Sequence, residues 1–197
     1  QQSYVVGGYP SMSRKDPAYQ AFQLANTAFG GQFASRINLN LREDKGYTYG
    51  VRSMMISFRD GGMFMVTAPV ETPSTRPSLD EILKEMSDIR GPRPLSDTEL
   101  ADSRNRLIMG FPQQFQTFGG VAGGLGTILL NDLPLDDWQT FSDRVEGLTA
   151  ARVAEVIDRT IDPARMVWVI VGDWAVIAED LKALDLGEIE VVDQGTS

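Results

Sequence analysis

No histidine and no cysteine occur in the 197 residues. Without cysteine there is no disulfide framework, no thiolate metal site and no thiol nucleophile. Without histidine the chain lacks the commonest zinc ligand and the commonest general base, so it cannot assemble a Ser-His-Asp triad by itself. Carboxylates remain, but no acidic cluster has the spacing of a calcium loop. Lysine is scarce as well: 14 of the 18 basic residues are arginine and 4 are lysine, a usage that points to a GC-rich bacterial source. No apolar run reaches the ~18 residues of a membrane span. The opening QQSYVVGGYP has neither an initiating methionine nor a signal-peptide pattern. It begins inside a candidate strand, so the natural protein is expected to start further upstream.

Acidic residues outnumber basic ones, 27 to 18, for a net charge of −9. That balance argues against a nucleic-acid binder, which would show a basic stripe. It favours solubility and, weakly, cationic or unfolded peptide ligands. With 42% hydrophobic residues, a chain of this size can bury a stable core without staples. No internal repeat or low-complexity linker interrupts it, and one domain over 1–197 is the simplest count.

Ser3 to Tyr9 reads as a strand. Asp16-Pro17 marks a helix start, with the helix running to about Phe29 and broken by Gly30-Gly31. Ser35 caps a short helix over Arg36 to Asp44, and Gly46 stands where a left-handed C-cap belongs. Tyr47 to Phe58 reads as a long strand, with Arg59-Asp60-Gly61-Gly62 as the hairpin turn and Met63 to Val70 as its antiparallel return. Ser78–Glu81 and Ser96–Glu99 have the pattern of capping boxes, for helices ending near Ile89 and Gly110. Phe111 to Leu130 reads as a glycine-loosened helix, and Pro134–Val145 and Thr149–Ile161 as two more. MVWVIV, 166–171, reads as a buried strand, Ala175–Leu184 as a helix and Glu188–Val192 as a last strand. Hairpins with segregated helices predict an α+β fold and not a doubly wound parallel sheet.

The stretch LREDKGYTYG, 41–50, carries the sharpest chemistry. Arg42 falls in the last turn of the short helix, Gly46 reverses the chain, and Tyr49 starts the next strand. A guanidinium and a phenol brought together there offer fixed donors to a carbonyl oxygen. Donors aimed where negative charge develops are how an oxyanion is stabilised. Spacing alone leaves the plainer alternative of a helix-end ion pair and a packed aromatic. Tyr47 and Tyr49 share a strand face by alternation.

GGQFASRINLNLREDKGYTYGVRS, 30–53, resembles the second-domain motif of the pitrilysin/insulinase family of zinc peptidases, which includes the mitochondrial processing peptidase and the core subunits of the cytochrome bc1 complex. The helix from Ser78, PLSDTEL at 94–100, the helix start at Leu148-Thr149 and VWVIVGD at 167–173 follow in family order. The resemblance implies one half of a clam-shaped molecule: a mixed, largely antiparallel sheet covered by helices on one face. The other half carries H-x-x-E-H, whose histidines bind zinc and whose glutamate activates water. This chain, lacking histidine, resembles the non-zinc half. The resemblance further implies that Arg42 and Tyr49, seven residues apart, bind substrate backbone near the scissile bond. No residue of this chain is then catalytic or metal-binding, and the chain alone is no enzyme. The resemblance places zinc on a homologous partner domain or subunit and makes the ligand a peptide; the compartment is left unknown, with the bacterial periplasm or cell envelope as the guess. The alternative is an inactive structural or assembly subunit like the respiratory core proteins. A free-standing peptide-binding module is a third reading.

Three other features have plain explanations. GGVAGGLG, 119–126, lacks the Gly-Lys-Ser/Thr ending of a phosphate loop and no strand precedes it; a flexible or closely packed helix segment fits it. Glu43 and Asp44 diverge by about 100° on a helix and form no carboxylate pair. Met54, Met55, Met63 and Met65 on the hairpin suit core or cleft packing, not a copper site.

Overall fold

The structure, a computed structural model, describes residues 2–192. Four strands form one antiparallel sheet: β1 (Gln2–Ser11), β2 (Arg52–Ser57), β3 (Gly62–Glu71) and β4 (Val167–Val171), in the order β2-β3-β1-β4. β1 pairs with β3 over its full length, Val5 opposite Ala68, and with β4, Val6 opposite Val169. The class is α+β, with the sheet antiparallel throughout the described residues.

Alternation assigns the two faces. Val5, Tyr9, Met55, Phe64, Val66, Ala68 and Val70 point inward and are buried. Against them packs α1 (Tyr19–Phe29), whose Phe22, Leu24, Ala25 and Phe29 are fully buried. α4 (Asp97–Gly110) and α7 (Ala150–Thr160) cover its flanks, and α3 (Thr75–Arg90) packs against β3 and α7. α3 inserts Leu79, Ile82, Met86 and Ile89, one turn apart, and α7 inserts Val153, Val156 and Ile157. Each such side chain contributes about 1.5–3 kcal/mol by leaving water. One core cluster runs from Val5 to Leu181. The opposite sheet face is open, with Tyr4, Met54, Ile56, Val167, Val169 and Val171 exposed.

Several elements differ from the sequence reading. β4 is an edge strand, not a buried one; only Trp168 and Ile170 meet the core. Tyr47–Phe58 is a strand only from Arg52 to Ser57. α3 begins at Thr75, because the turn Thr72–Ser74 leads straight into it and Thr75 Oγ1 bonds the Thr72 carbonyl at 2.7 Å. Ser78 is therefore buried inside the helix and caps nothing, and Pro77 sits in the first turn, where its missing amide costs little. The second capping box is real: Ser96 and Glu99 exchange both bonds at the start of α4.

Phe111–Leu130 divides into a 3₁₀ turn, Phe111–Phe115, and helix α5, Phe118–Leu130, where Thr117 bonds the Gly120 amide. Pro112, at the second position of the turn, ends α4 ahead of it, and the extended Thr117 separates the turn from α5. Pro134–Thr140 is turn, and α6 spans only Phe141–Glu146. A last helix, α8, covers Trp174–Lys182 behind its Asp173 cap. Residues 188–192 form no strand; β4's outer edge has no partner among the described residues.

Candidate functional site

Ser35 precedes a short helix, α2 (Arg36–Asn38), that runs on into a π-helical turn, Leu39–Asp44. The wider turn is visible in its bonding: the Lys45 amide reaches the Asn40 carbonyl, five residues back, at 3.0 Å. Arg42 lies in this turn. Gly46, at φ 69°, takes the left-handed conformation that lets the Tyr47 amide fold back onto the Leu41 carbonyl at 2.9 Å.

A second local irregularity follows. Regular pairing of β2 with β3 sets Arg52 opposite Thr67, yet Val70 bridges Thr48. Four steps separate Thr48 from Arg52 where three separate Val70 from Thr67. One extra residue is therefore accommodated, as in a β-bulge. Pro69 brings no amide to this place. The Thr48 hydroxyl donates to its carbonyl, and the Gly50 amide turns onto Thr48 Oγ1 at 3.1 Å. Asn38 Oδ1 accepts from the buried Val51 amide at 2.9 Å, while its amide nitrogen donates to the Phe33 carbonyl at 2.7 Å. Tyr49 projects from this irregular segment, 84% exposed.

The structure thus brings Arg42 and Tyr49 to one chain reversal, but no hydrogen bond joins them among the described residues. Arg42 lies over the ring of the exposed Phe33, 4.3 Å from its centroid, and its Nε is 3.3 Å from Glu43. Phe33 was not singled out by the sequence; no spacing rule connects a loop aromatic to a helix nine residues later.

Arg36, six residues before Arg42, has a structural role. Its side chain is 8% exposed and grips Glu99 with two bonds, Nε–Oε1 at 2.6 Å and Nη2–Oε2 at 2.7 Å. It also donates to the carbonyls of Arg93 and Pro94. Those bonds from Arg36 hold the Glu99 carboxyl down at about 2, against the opposing effect of burial and with help from Ser96. Behind the π-helical turn, Asn40 donates to Glu81 and Glu85, each at 2.9 Å, and Lys45 pairs with Glu81 at 3.2 Å. Burial raises the Glu81 carboxyl, but bonds from Asn40 and Lys45 outweigh it and leave the group below the ordinary carboxylate range. The turn that carries Arg42 is therefore anchored to both α3 and α4.

Gly30 closes the other side. A Cβ there would collide with the Ser53 hydroxyl and stand 2.5 Å from Ile37 Cδ1. Ser53 in turn donates to Asn26 Oδ1 at 2.6 Å and accepts from Asn26 Nδ2 at its carbonyl, 3.0 Å.

Zinc does not fit this chain. The sequence has no histidine or cysteine, and no three acidic groups converge among the described residues. An open cleft of about 550 Å³ lies beside α4, lined by Gln32, Glu99, Asp102, Arg106 and Met109; it includes neither Arg42 nor Tyr49. The hairpin methionines divide: Met55 joins the core, and Met54, opposite Met65, lies on the open sheet face.

Comparison with known proteins gives consistent results. The peptidase M16 inactive domain profile matches residues 1–107. An uncharacterised zinc protease of Streptomyces coelicolor is 32% identical over 107 residues, 54% of this chain and 23% of that protein. The peptidase M16 inactive domain from Pseudomonas fluorescens superposes with a TM-score of 0.77 at 24% identity, over 86% of this chain and 40% of that one. A complex III structure from Candida albicans contains a chain with a TM-score of 0.74 at 15% identity, covering 91% of this chain and 44% of that one. The present chain thus spans less than half the length of each of these three relatives.

Proposed function

The chain belongs to the peptidase M16 inactive domain family, and from that premise we propose that residues 1–197 form the noncatalytic, substrate-binding half of a bacterial zinc metallopeptidase. In this reading the zinc site, H-x-x-E-H, lies on a homologous domain or partner subunit. Arg42 and Tyr49 reach into the cleft between the halves, where the guanidinium binds peptide backbone and the phenol donates to the reacting carbonyl.

One observation carries the assignment of the pair. Each residue sits on a one-residue irregularity, Arg42 in a π-helical turn and Tyr49 beside a bulge. Such insertions cost regular hydrogen bonds and cluster at functional sites, where they re-aim a side chain. Among the described residues both side chains also keep donors free, whereas Arg36 and the buried Tyr9 are committed to internal bonds. In the complete enzyme, Arg42→Ala or Tyr49→Phe is expected to lower kcat/KM by ten-fold or more, each ten-fold being about 1.4 kcal/mol of transition-state stabilisation. Unchanged kinetics in both variants would remove the pair from the mechanism.

A second reading, a structural or assembly subunit, is favoured by the likeness to a chain of complex III. The other half of the protein discriminates. An intact H-x-x-E-H with bound zinc supports the peptidase; a degenerate motif supports the scaffold.

A further inference from the structure

α5 is the least self-sufficient element of the fold. Of its thirteen residues five are glycine, and only Ile128 is buried. No Asp, Glu, Lys or Arg occurs between Leu107 and Asn131. Phe118, Ala122, Leu125 and Leu129 recur at intervals of four, three and four, which aligns them along one face. That face is open: Phe118 is 98% exposed, Leu129 68% and Leu125 47%. Beside it, a Cβ at Gly119, Gly123 or Gly126 would meet nothing within 4 Å, so the backbone itself is approachable. The opposite side rests Gly124 on the Trp138 ring. A glycine-rich helix exposing its apolar stripe lacks the packing that ordinarily stabilises a helix.

We propose that this stripe is the surface on which the zinc-bearing half docks, presenting an apolar face of its own to Phe118, Leu125 and Leu129. The proposal rests on the functional reading above. Its occupant follows from length and charge. The chain spans only 40% of the matched Pseudomonas fluorescens chain, so more than half of such a protein lies elsewhere. A lipid surface is the poorer partner, because the stripe has no flanking lysine or arginine and the chain carries −9. The 4-3-4 spacing is that of a helix face packing against another apolar element.

The absence of cysteine supplies the test. Leu129→Cys, and separately Phe118→Cys, places a single thiol in this chain within the complete two-half protein, whose other cysteines are replaced by serine. Glu179→Cys on α8, where the side chain is 90% exposed, is the reference. Maleimide labelling at 118 and 129 is expected to be at least ten-fold slower than at 179, and a thiol-linked benzophenone at 129 to crosslink to the zinc-bearing half. Labelling as fast as at 179, or crosslinks only to a second copy of this chain, would overturn the proposal. In the Leu129→Cys protein, Phe118→Asp with Leu125→Asp, which leave the thiol at 129 in place, is expected to abolish the crosslink and lower kcat/KM by at least ten-fold while zinc content is unchanged. If the protein cleaves peptide with full activity while α5 labels freely, the docking surface is wrong and the functional reading stands. If the other half holds no zinc site, both fall.

Discussion

Arg36 and Arg42 stand six residues apart and have opposite fates. Arg36 is buried in two bonds to Glu99 and two to carbonyls; Arg42 lies over Phe33 at the surface. The family resemblance singled out Arg42 and Tyr49 as the candidate pair, but the sequence did not separate a structural arginine from an available one, because that depends on residues 57 and more positions away. Glu99 makes this dependence measurable. Its carboxyl, held at about 2 when folded against an ordinary 4.5, stabilises the fold at all pH above about 4.5, and that contribution is lost as pH falls toward 2. Glu99→Gln is expected to lower stability at pH 7 by no more than about 2 kcal/mol, since solvent reaches a third of the side chain. It should also flatten the acid side of a stability–pH profile measured by urea unfolding. Gly30→Ala is expected to cost about 1–3 kcal/mol in the same assay, because the added methyl has no room between Ser53 and Ile37.

Most helices and strands are legible in the sequence, and the departures share a cause. The strands at Ser3 and Met63, the helix over Thr149–Ile161 and the Ser96 capping box follow from periodicity and capping chemistry. The strand expected from Tyr47 fails at Pro69, which no local pattern at Tyr47 can reveal. MVWVIV reads as buried because its composition is uniformly apolar, yet its outer face meets no other element of the described residues. The irregular segment at the site depends on Asn38, whose side chain replaces ladder bonds for Val51. Asn38→Ala is expected to destabilise the fold by about 1–3 kcal/mol through the unsatisfied buried amide. It should also lower kcat/KM of the complete enzyme by loosening the base of Tyr49, an effect visible in activity assays at a temperature where the variant remains folded.

At the scale of the whole molecule, one face of the sheet is packed and the other is open, and α5 shows an uncovered apolar stripe. These features suit a half and not a complete machine. The resemblance carried by residues 30–53 identified the family, which the match over residues 1–107 bears out. The missing histidines sharpen the proposed division of labour, in which the pair would act on a peptide whose scissile bond is held by zinc from elsewhere. The most direct measurement is zinc content together with peptide hydrolysis, for this chain alone and for the complete protein. The chain alone is expected to show no stoichiometric zinc and no cleavage, and the complete protein one zinc with chelator-sensitive cleavage. One tightly held zinc per copy of this chain by itself would contradict that expectation.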